Sequence, residues 1–304
     1  MKAKPMPFGR ASLFMALALV LPAQAQTSQT DTNTVLIDGS STVYPISREA
    51  ARRFQRQQRD ARIEVRFSGT TAGFRKFCAG EIDIADASRP IDETEAAACA
   101  DAQIKYQRMP VATDAIVIVA HPQNRWASDI TVTELRKLWS PEAEGKVMRW
   151  SDIRAGWPEQ PVKLFGRGQD SGTYDIFTSE ITGTSRASRK DYTASENEEE
   201  LAAAIAAEPN ALAFFGIGAY HRHWDELKLL AVDAGEGPVY PSLETVRDGK
   251  YRPLSRPLYL YINSERLAAK PTMQAFIEHY QANIGNWLHF TGFMPTQAQG
   301  QQVH

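Results

Sequence analysis

Residues 166–177 read GRGQDSGTYDIF. Arg167 stands four residues before Ser171-Gly172-Thr173, and apolar residues then recur at Tyr174, Phe177 and Ile181. That i, i+3, i+7 spacing marks a helix with one buried face. The preceding PVKLFGRG reads as a strand. A strand that turns through small hydroxyl residues into a helix offers hydroxyl donors, free backbone N–H groups and the positive end of the helix dipole. Such a turn suits an anion. The letters QDSG also match, superficially, the surroundings of a protease serine. That chemistry needs a histidine base and a second carboxylate. The six histidines (His121, His221, His223, His279, His289 and His304) lie in no partner motif, and a strand-to-helix setting is wrong for an all-β protease. No GxSxG, HExxH or GxxxxGK[ST] pattern occurs either. Ser171 therefore reads as one finger of a cradle, not as a nucleophile.

Two further stretches repeat the design. IDGSSTVYP leaves a strand, turns through Gly39–Thr42 and leads to a helix; FSGTTAGF does the same through Ser68–Thr71. One serine or threonine before a helix is most often only an N-cap. Three such turns, one of them with an arginine, point to a shared site. Arg167 would supply a fixed charge and a forked donor. Asp170 would either hold that arginine or be a plain turn residue.

The surroundings read as α/β. TVLIDG, IEVRFSG and DIADAS are strands separated by the helices SREAARRFQRQQ and GFRKFCAG, a βαβαβ rhythm that predicts a largely parallel sheet. DAIVIVAH opens a second such region, TVTELRKLWS and SENEEELAAAIAAEP are helical, and RPLYLYIN is a late strand before a terminal helix, PTMQAFIEHYQANIGNWL. Ser195 and Glu198 are spaced as a capping box. The six arginines between Arg48 and Arg62 read as a solvated helix face, with a docking surface as the alternative, and Trp139, Trp150 and Trp157 as packing residues.

The chain has 304 residues, 43% hydrophobic and 23% charged, with a formal charge of −2, so nothing suggests nucleic acid. Lys2, Lys4 and Arg10 precede ASLFMALALVLPAQAQ, the layout of a secretory leader cleaved after Ala25. Its removal lowers the charge by three, to −5. Roughly 280 residues then exceed one compact core, which predicts two lobes with the ligand between them. Cys78 and Cys99, the only cysteines, would form one disulfide in an exported protein; two buried thiols are the alternative. No metal site is expected at His221 and His223, which a helix would point apart.

In order along the chain, DGSSTVYPI, FSGTTAGFRKFCAGEIDIADASRPI, PVATDAIVIVAHP, ITVTELRKLWSPEAEGKVMRWSDI, LFGRGQDSGTYDIF and ALAFFGIGAY together resemble the PstS/SphX family, periplasmic phosphate-binding proteins that serve ABC transporters. The resemblance implies a two-lobed α/β periplasmic binding protein of the type II, Venus-flytrap kind. Its crossings would fall near 109–116 and 252–259. Lobe 1 would be 33–111 plus 256–304, and lobe 2 would be 112–255. It implies a monomer that captures inorganic phosphate for a permease in the inner membrane, with no chemistry and no cofactor. Arg167, Ser171, Gly172 and Thr173 match the family's anion motif. Thr70 matches a donor, with Ser68 and Thr71 beside it; Ser41 and Thr42 would add hydroxyls, and Val43 and Tyr44 amides. One departure matters. Ser88 stands where the family has an aspartate that accepts the proton of hydrogen phosphate. Asp86 or Ser88 would then be the acceptor, and Arg89 a second charge. Without that aspartate, another tetrahedral oxyanion such as sulfate remains an alternative ligand, and a secreted phosphatase an alternative class.

Overall fold

The computed structural model describes residues 1–2, 33–288 and 292–296. The chain divides into a unit of residues 1–31 and a unit of residues 32–304. The expected leader and its cleavage after Ala25 lie outside the described residues, apart from the first two. Among the described residues, no helix is long and apolar enough to cross a membrane.

The second unit begins as its alternating apolar pattern dictates. β1 (Thr34–Gly39) leads into α1 (Tyr44–Gln57), β2 (Arg62–Val65), α2 (Thr70–Cys78), β3 (Ile84–Ala87) and α3 (Glu93–Asp101). β1 pairs with β2 and β3 in parallel. Pro45 lies in the first turn of α1, where its missing N–H costs nothing. Cys78 and Cys99 are disulfide-bonded and tie α2 to α3. β4 (Tyr106–Ala120) follows as a single 15-residue strand.

The chain then builds β5 (Asp129–Thr131), α4 (Val132–Trp139), α5 (Trp150–Ile153), β6 (Lys163–Arg167), α6 (Gly172–Thr182), β7 (Thr193–Ser195), α7 (Glu198–Ala207), β8 (Ala211–Gly216), α8 (Ile217–Arg222), β9 (Lys228–Asp233), β10 (Pro238–Val239) and α9 (Leu243–Arg247). It returns through β11 (Ser255–Asn263) and ends in α10 (Ser264–Ala269) and α11 (Pro271–Asn283). β6 pairs in parallel with β7 and β8.

The expected largely parallel sheet is instead mixed. β11 runs antiparallel to both β3 and β4, and β4 antiparallel to β8 and β9. The reason is the chain's return: β11 re-enters beside β3 from the far end. β4 joins the two parallel sets. Residues 106–115 pair with β11, and residues 116–120 with β8.

Trp139, Trp150 and Trp157 are buried, as packing residues should be. Trp139 meets Phe177, Tyr192 and Phe214 edge-on. Gly166 makes room for that cluster, since a Cβ there would lie 2.4 Å from the Phe214 ring. The core thus presses directly against the strand that delivers Arg167.

Candidate functional site

The first turn of α6 is wedged between the two earlier hydroxyl turns. On one side, a Cβ on Gly172 would lie 2.6 Å from Ser88 Oγ and 2.8 Å from Thr70 Oγ1. Only glycine lets the backbone come so near. On the other side, Thr173 Oγ1 is 3.4 Å from Thr42 Oγ1. A third contact closes the rim: Thr71 N donates to the Asp170 carbonyl at 3.0 Å, and Gly69, at φ +94°, has no space for a Cβ beside that same carbonyl. Thr70 and Ser88 are also mutual neighbours, their hydroxyls 3.1 Å apart.

Ser171 caps α6, accepting Thr173 N at 3.1 Å. The cap uses an oxygen lone pair and leaves the hydroxyl proton for another partner. The turns before α1 and α2 have no side-chain cap. Their hydroxyls are spent on other partners.

Arg167 enters this cluster from the end of β6, 1% exposed. Its Nη2 donates to Ser41 Oγ at 2.5 Å and to the Glu196 carbonyl at 3.1 Å. The same nitrogen lies 3.2 Å from Glu196 Oε2. Nη1 forms an ion pair with Glu198 Oε1 at 2.7 Å, too bent to make a well-aligned hydrogen bond. Among the described residues, Nε and Nη1 have no hydrogen-bond acceptor. Asp170 does not hold this arginine: its carboxylate accepts from Arg75 instead, at 3.0 Å.

Glu198 is not a capping residue either. Asn197 caps α7 by accepting Glu199 N, and Ser195 Oγ donates to Glu200. Glu198 turns inward, is 4% exposed, and accepts from Thr42 Oγ1 at 2.9 Å. The Thr42 proton is thereby committed to a carboxylate. Arg256, near the start of β11, completes the cluster. Its Nε and Nη2 donate to Asp114 Oδ2 at 3.0 and 2.8 Å, and Nη2 also donates to Thr173 Oγ1 at 2.6 Å. Burial pushes Asp114 up to about 6, against the opposing pull of Arg256. Burial also raises Glu196, against Arg167.

Other candidates sit apart from this cluster. Ser68 Oγ donates to Asp38 and accepts from Lys76. Asp86 accepts from Ser47 Oγ at 2.8 Å, and burial holds it well above the ordinary carboxylate range. β3 ends at Ala87, so the alternation that would place Asp86 beside Ser88 stops one residue short. Arg89 is near the site but fully engaged, by Glu95 twice, Asp175, the Pro90 carbonyl and Thr71 Oγ1. The Tyr44 amide donates to the Ser40 carbonyl. Its ring, with Ser41, Phe67 and Glu198, lines a cleft of about 740 Å³ that opens beside Arg167's partners. Among the described residues, no group of His, Cys, Asp and Glu could hold a metal ion.

A buried arginine near a helix N-terminus, among short hydroxyls, is an arrangement that can hold an anion. A family model described as a PBP superfamily domain matches residues 24–282. Protein SphX of Synechocystis is 42% identical over 281 residues, covering 92% of this chain and 83% of its own. The chain belongs to the PstS/SphX family. A phosphate-binding protein PstS of Staphylococcus saprophyticus is 31% identical over 84% of this chain and 78% of its own. A solved structure of a possible phosphate binding protein from Planctomyces limnophilus is 36% identical, with a TM-score of 0.64, over 89% of this chain and 95% of that one. A putative phosphate ABC transporter substrate-binding protein from Clostridium perfringens, 22% identical, shares the fold with a TM-score of 0.74, over 87% of this chain and all of that one. The fold is that of two-lobed binding proteins, and the family binds solutes and is not one of enzymes.

Proposed function

We propose that this chain is a periplasmic receptor that captures inorganic phosphate between two lobes and delivers it, as a monomer, to an ABC permease of the inner membrane. The carrying observation is Arg167, whose buried Nε and Nη1 have no hydrogen-bond acceptor among the described residues and whose neighbour Glu198 holds Thr42, 3.4 Å from Thr173 in the first turn of α6. A buried guanidinium N–H left unpaired costs free energy that an anion would recover. In this reading Arg167 is the charge anchor. Ser171, Thr173, Thr70 and Ser88 are hydroxyl partners, Gly172 permits the approach, and Ser41 orients the arginine. The lobes are residues 33–111 with 256–304, and 112–255. The pairing change along β4, from β11 to β8 after Ala115, supports a crossing there.

The names of the relatives support phosphate. Sulfate is the second reading, because Ser88 cannot repel a fully ionised anion as a carboxylate would and Asp86 faces Ser47. Calorimetric titration of the leaderless protein with phosphate and with sulfate decides between them. Tight phosphate binding with weak sulfate binding supports the first reading; equal binding supports a general oxyanion receptor. Cleavage after Ala25 is checked by sequencing the N-terminus of the exported protein.

A further inference from the structure

Arg256 is not part of the sequence motif that names the site. It lies 89 residues beyond Arg167, inside the strand-like run RPLYLYIN. Three observations set it apart from an ordinary ion pair. It is 4% exposed, and its Nη1 has no hydrogen-bond partner among the described residues. An arginine kept only to neutralise Asp114 would have no reason to carry a buried unpaired N–H. Next, its Nη2 donates to Thr173 Oγ1 at 2.6 Å. That bond fixes the hydroxyl as an acceptor towards Arg256, so the hydroxyl proton must point elsewhere, and the donation polarises it. Thr42 is the nearest alternative partner, at 3.4 Å, and its own proton goes to Glu198. Thr42 Oγ1, its own proton spent, can accept the Thr173 proton only across that long 3.4 Å contact, so a ligand at the start of α6 can compete for it.

The third observation is position. Arg256 and Asp114 are register partners on β11 and β4, two residues before β4 leaves β11 for β8 at Ile116. Asp114 Oδ1 in turn accepts Ile217 N at 3.3 Å, at the start of α8. One guanidinium therefore touches the strand that joins the two parallel sets and the helix that begins at the anion turn.

We propose that Arg256 is a second cationic anchor of the anion site, binding the ligand through Nη1 and orienting Thr173 as a donor, and that its place on β11 ties anion binding to the joint between the lobes. The inference rests on the phosphate reading given above. It sets two guanidinium groups against three carboxylates, Asp114, Glu196 and Glu198, with the ligand supplying the missing acceptors.

The test uses Arg256→Gln combined with Asp114→Asn, which removes both charges of the pair and strands neither. Phosphate affinity and dissociation rate are measured beside the ligand-free melting temperature, and Arg256→Lys is run as the conservative variant. The expected result is a ligand-free melting temperature within about 3 °C of the parent. Phosphate affinity should fall by roughly 30-fold or more, mostly as faster dissociation, with Arg256→Lys regaining part of the loss. A double variant that folds and binds phosphate within about threefold of the parent overturns the proposal. A double variant that melts far below the parent transfers the decision to Arg256→Lys: parental affinity there overturns the proposal, and a faster dissociation rate at unchanged stability supports it. A parent chain that binds neither phosphate nor sulfate fails the reading itself, and the inference falls with it.

Discussion

Two buried arginines of the site, Arg89 and Arg167, are built differently. Arg89, on the Gly172 side, is 6% exposed and has a partner for each of its nitrogens, two carboxylates among them. Arg167, joined to Thr173 only through Glu198 and Thr42, is 1% exposed and keeps Nε and Nη1 without a hydrogen bond, although Glu198 and Glu196 lie beside it. Both are buried, and both face carboxylates. The difference lies in which N–H groups are satisfied. A fully paired guanidinium fastens elements together: Arg89 bridges Glu95 on α3 to Asp175 on α6. A partly paired one is held in place but keeps donors for something else. Burial and charge alone do not separate a clamp from a binding group; the accounting of donors does.

The sharpest way to break this contrast is to remove each arginine in turn. Arg167→Ala should weaken phosphate binding by about 3 kcal/mol or more, over a hundredfold in Kd, because the anion loses its charged partner in a buried place. Arg89→Gln should cost about 3 kcal/mol of stability, since it strands the half-buried Glu95 and leaves Asp175 with Arg186 alone. Its effect on phosphate affinity should stay within about tenfold. Calorimetry and urea unfolding of both variants give the two numbers for each. If Arg89→Gln loses as much affinity as Arg167→Ala, the donor accounting has assigned the wrong roles.

Gly172→Ala tests the turn between them. Its Cβ would meet Ser88 Oγ and Thr70 Oγ1 at under 3 Å, and Arg89 Cγ at 3.1 Å. The two hydroxyl turns would have to move off α6, so phosphate affinity should drop by roughly 10- to 100-fold. Ligand-free stability should change little, because the contact lies between turns and not inside the core. Parental affinity would mean that the close approach of α6 to β3 is not needed for binding.

The contrast also explains what the sequence made legible. Each hydroxyl turn is local: strand, small residues, helix, all within a dozen positions, so Arg167, Thr70, Gly172 and Thr173 could be picked out by pattern. Glu198 could not. Ser195-x-x-Glu198 satisfies a capping pattern, and only the folded chain reveals that Asn197 takes the cap while Glu198 faces an arginine 31 residues upstream. Arg256 was hidden in a strand whose alternation looked sufficient, and its partner Asp114 lies 142 residues away. The available signal was a charged residue in a stretch otherwise fit for the core: neither Arg256 nor Asp114 is where strand propensity alone would put a charge. Asp86 was legible for the opposite reason. It sits close to Ser88 in sequence, but the strand ends between them and turns it towards α1.

Asp114 gives the most discriminating effect, one read as a slope with pH. Its folded value, about 6, lies above the 3.8 of a free aspartate, with burial the main cause and Arg256 opposing it. The charged and titratable groups that face it are Arg256, Glu198 and Tyr251. A raised acid binds its proton more tightly in the folded state, so unfolding releases protons between about pH 4 and pH 6. The stability that Asp114 contributes is then fully present below pH 4 and is lost as pH rises through 6. Two pKa units bound the loss at about 3 kcal/mol. Asp114→Asn removes this slope without changing the side chain's size. Unfolding free energies of parent and variant, measured in denaturant from pH 4 to 7.5, should therefore diverge: the parent loses ground to the variant up to about pH 6 and runs parallel to it above pH 7. The reverse trend, the parent gaining ground as pH rises, would mean that Arg256 outweighs burial and holds Asp114 as a fully ionised pair. Arg256 would then resemble Arg89, a clamp with its charge spent, and the division between the two sides of α6 would shrink to Arg167 alone.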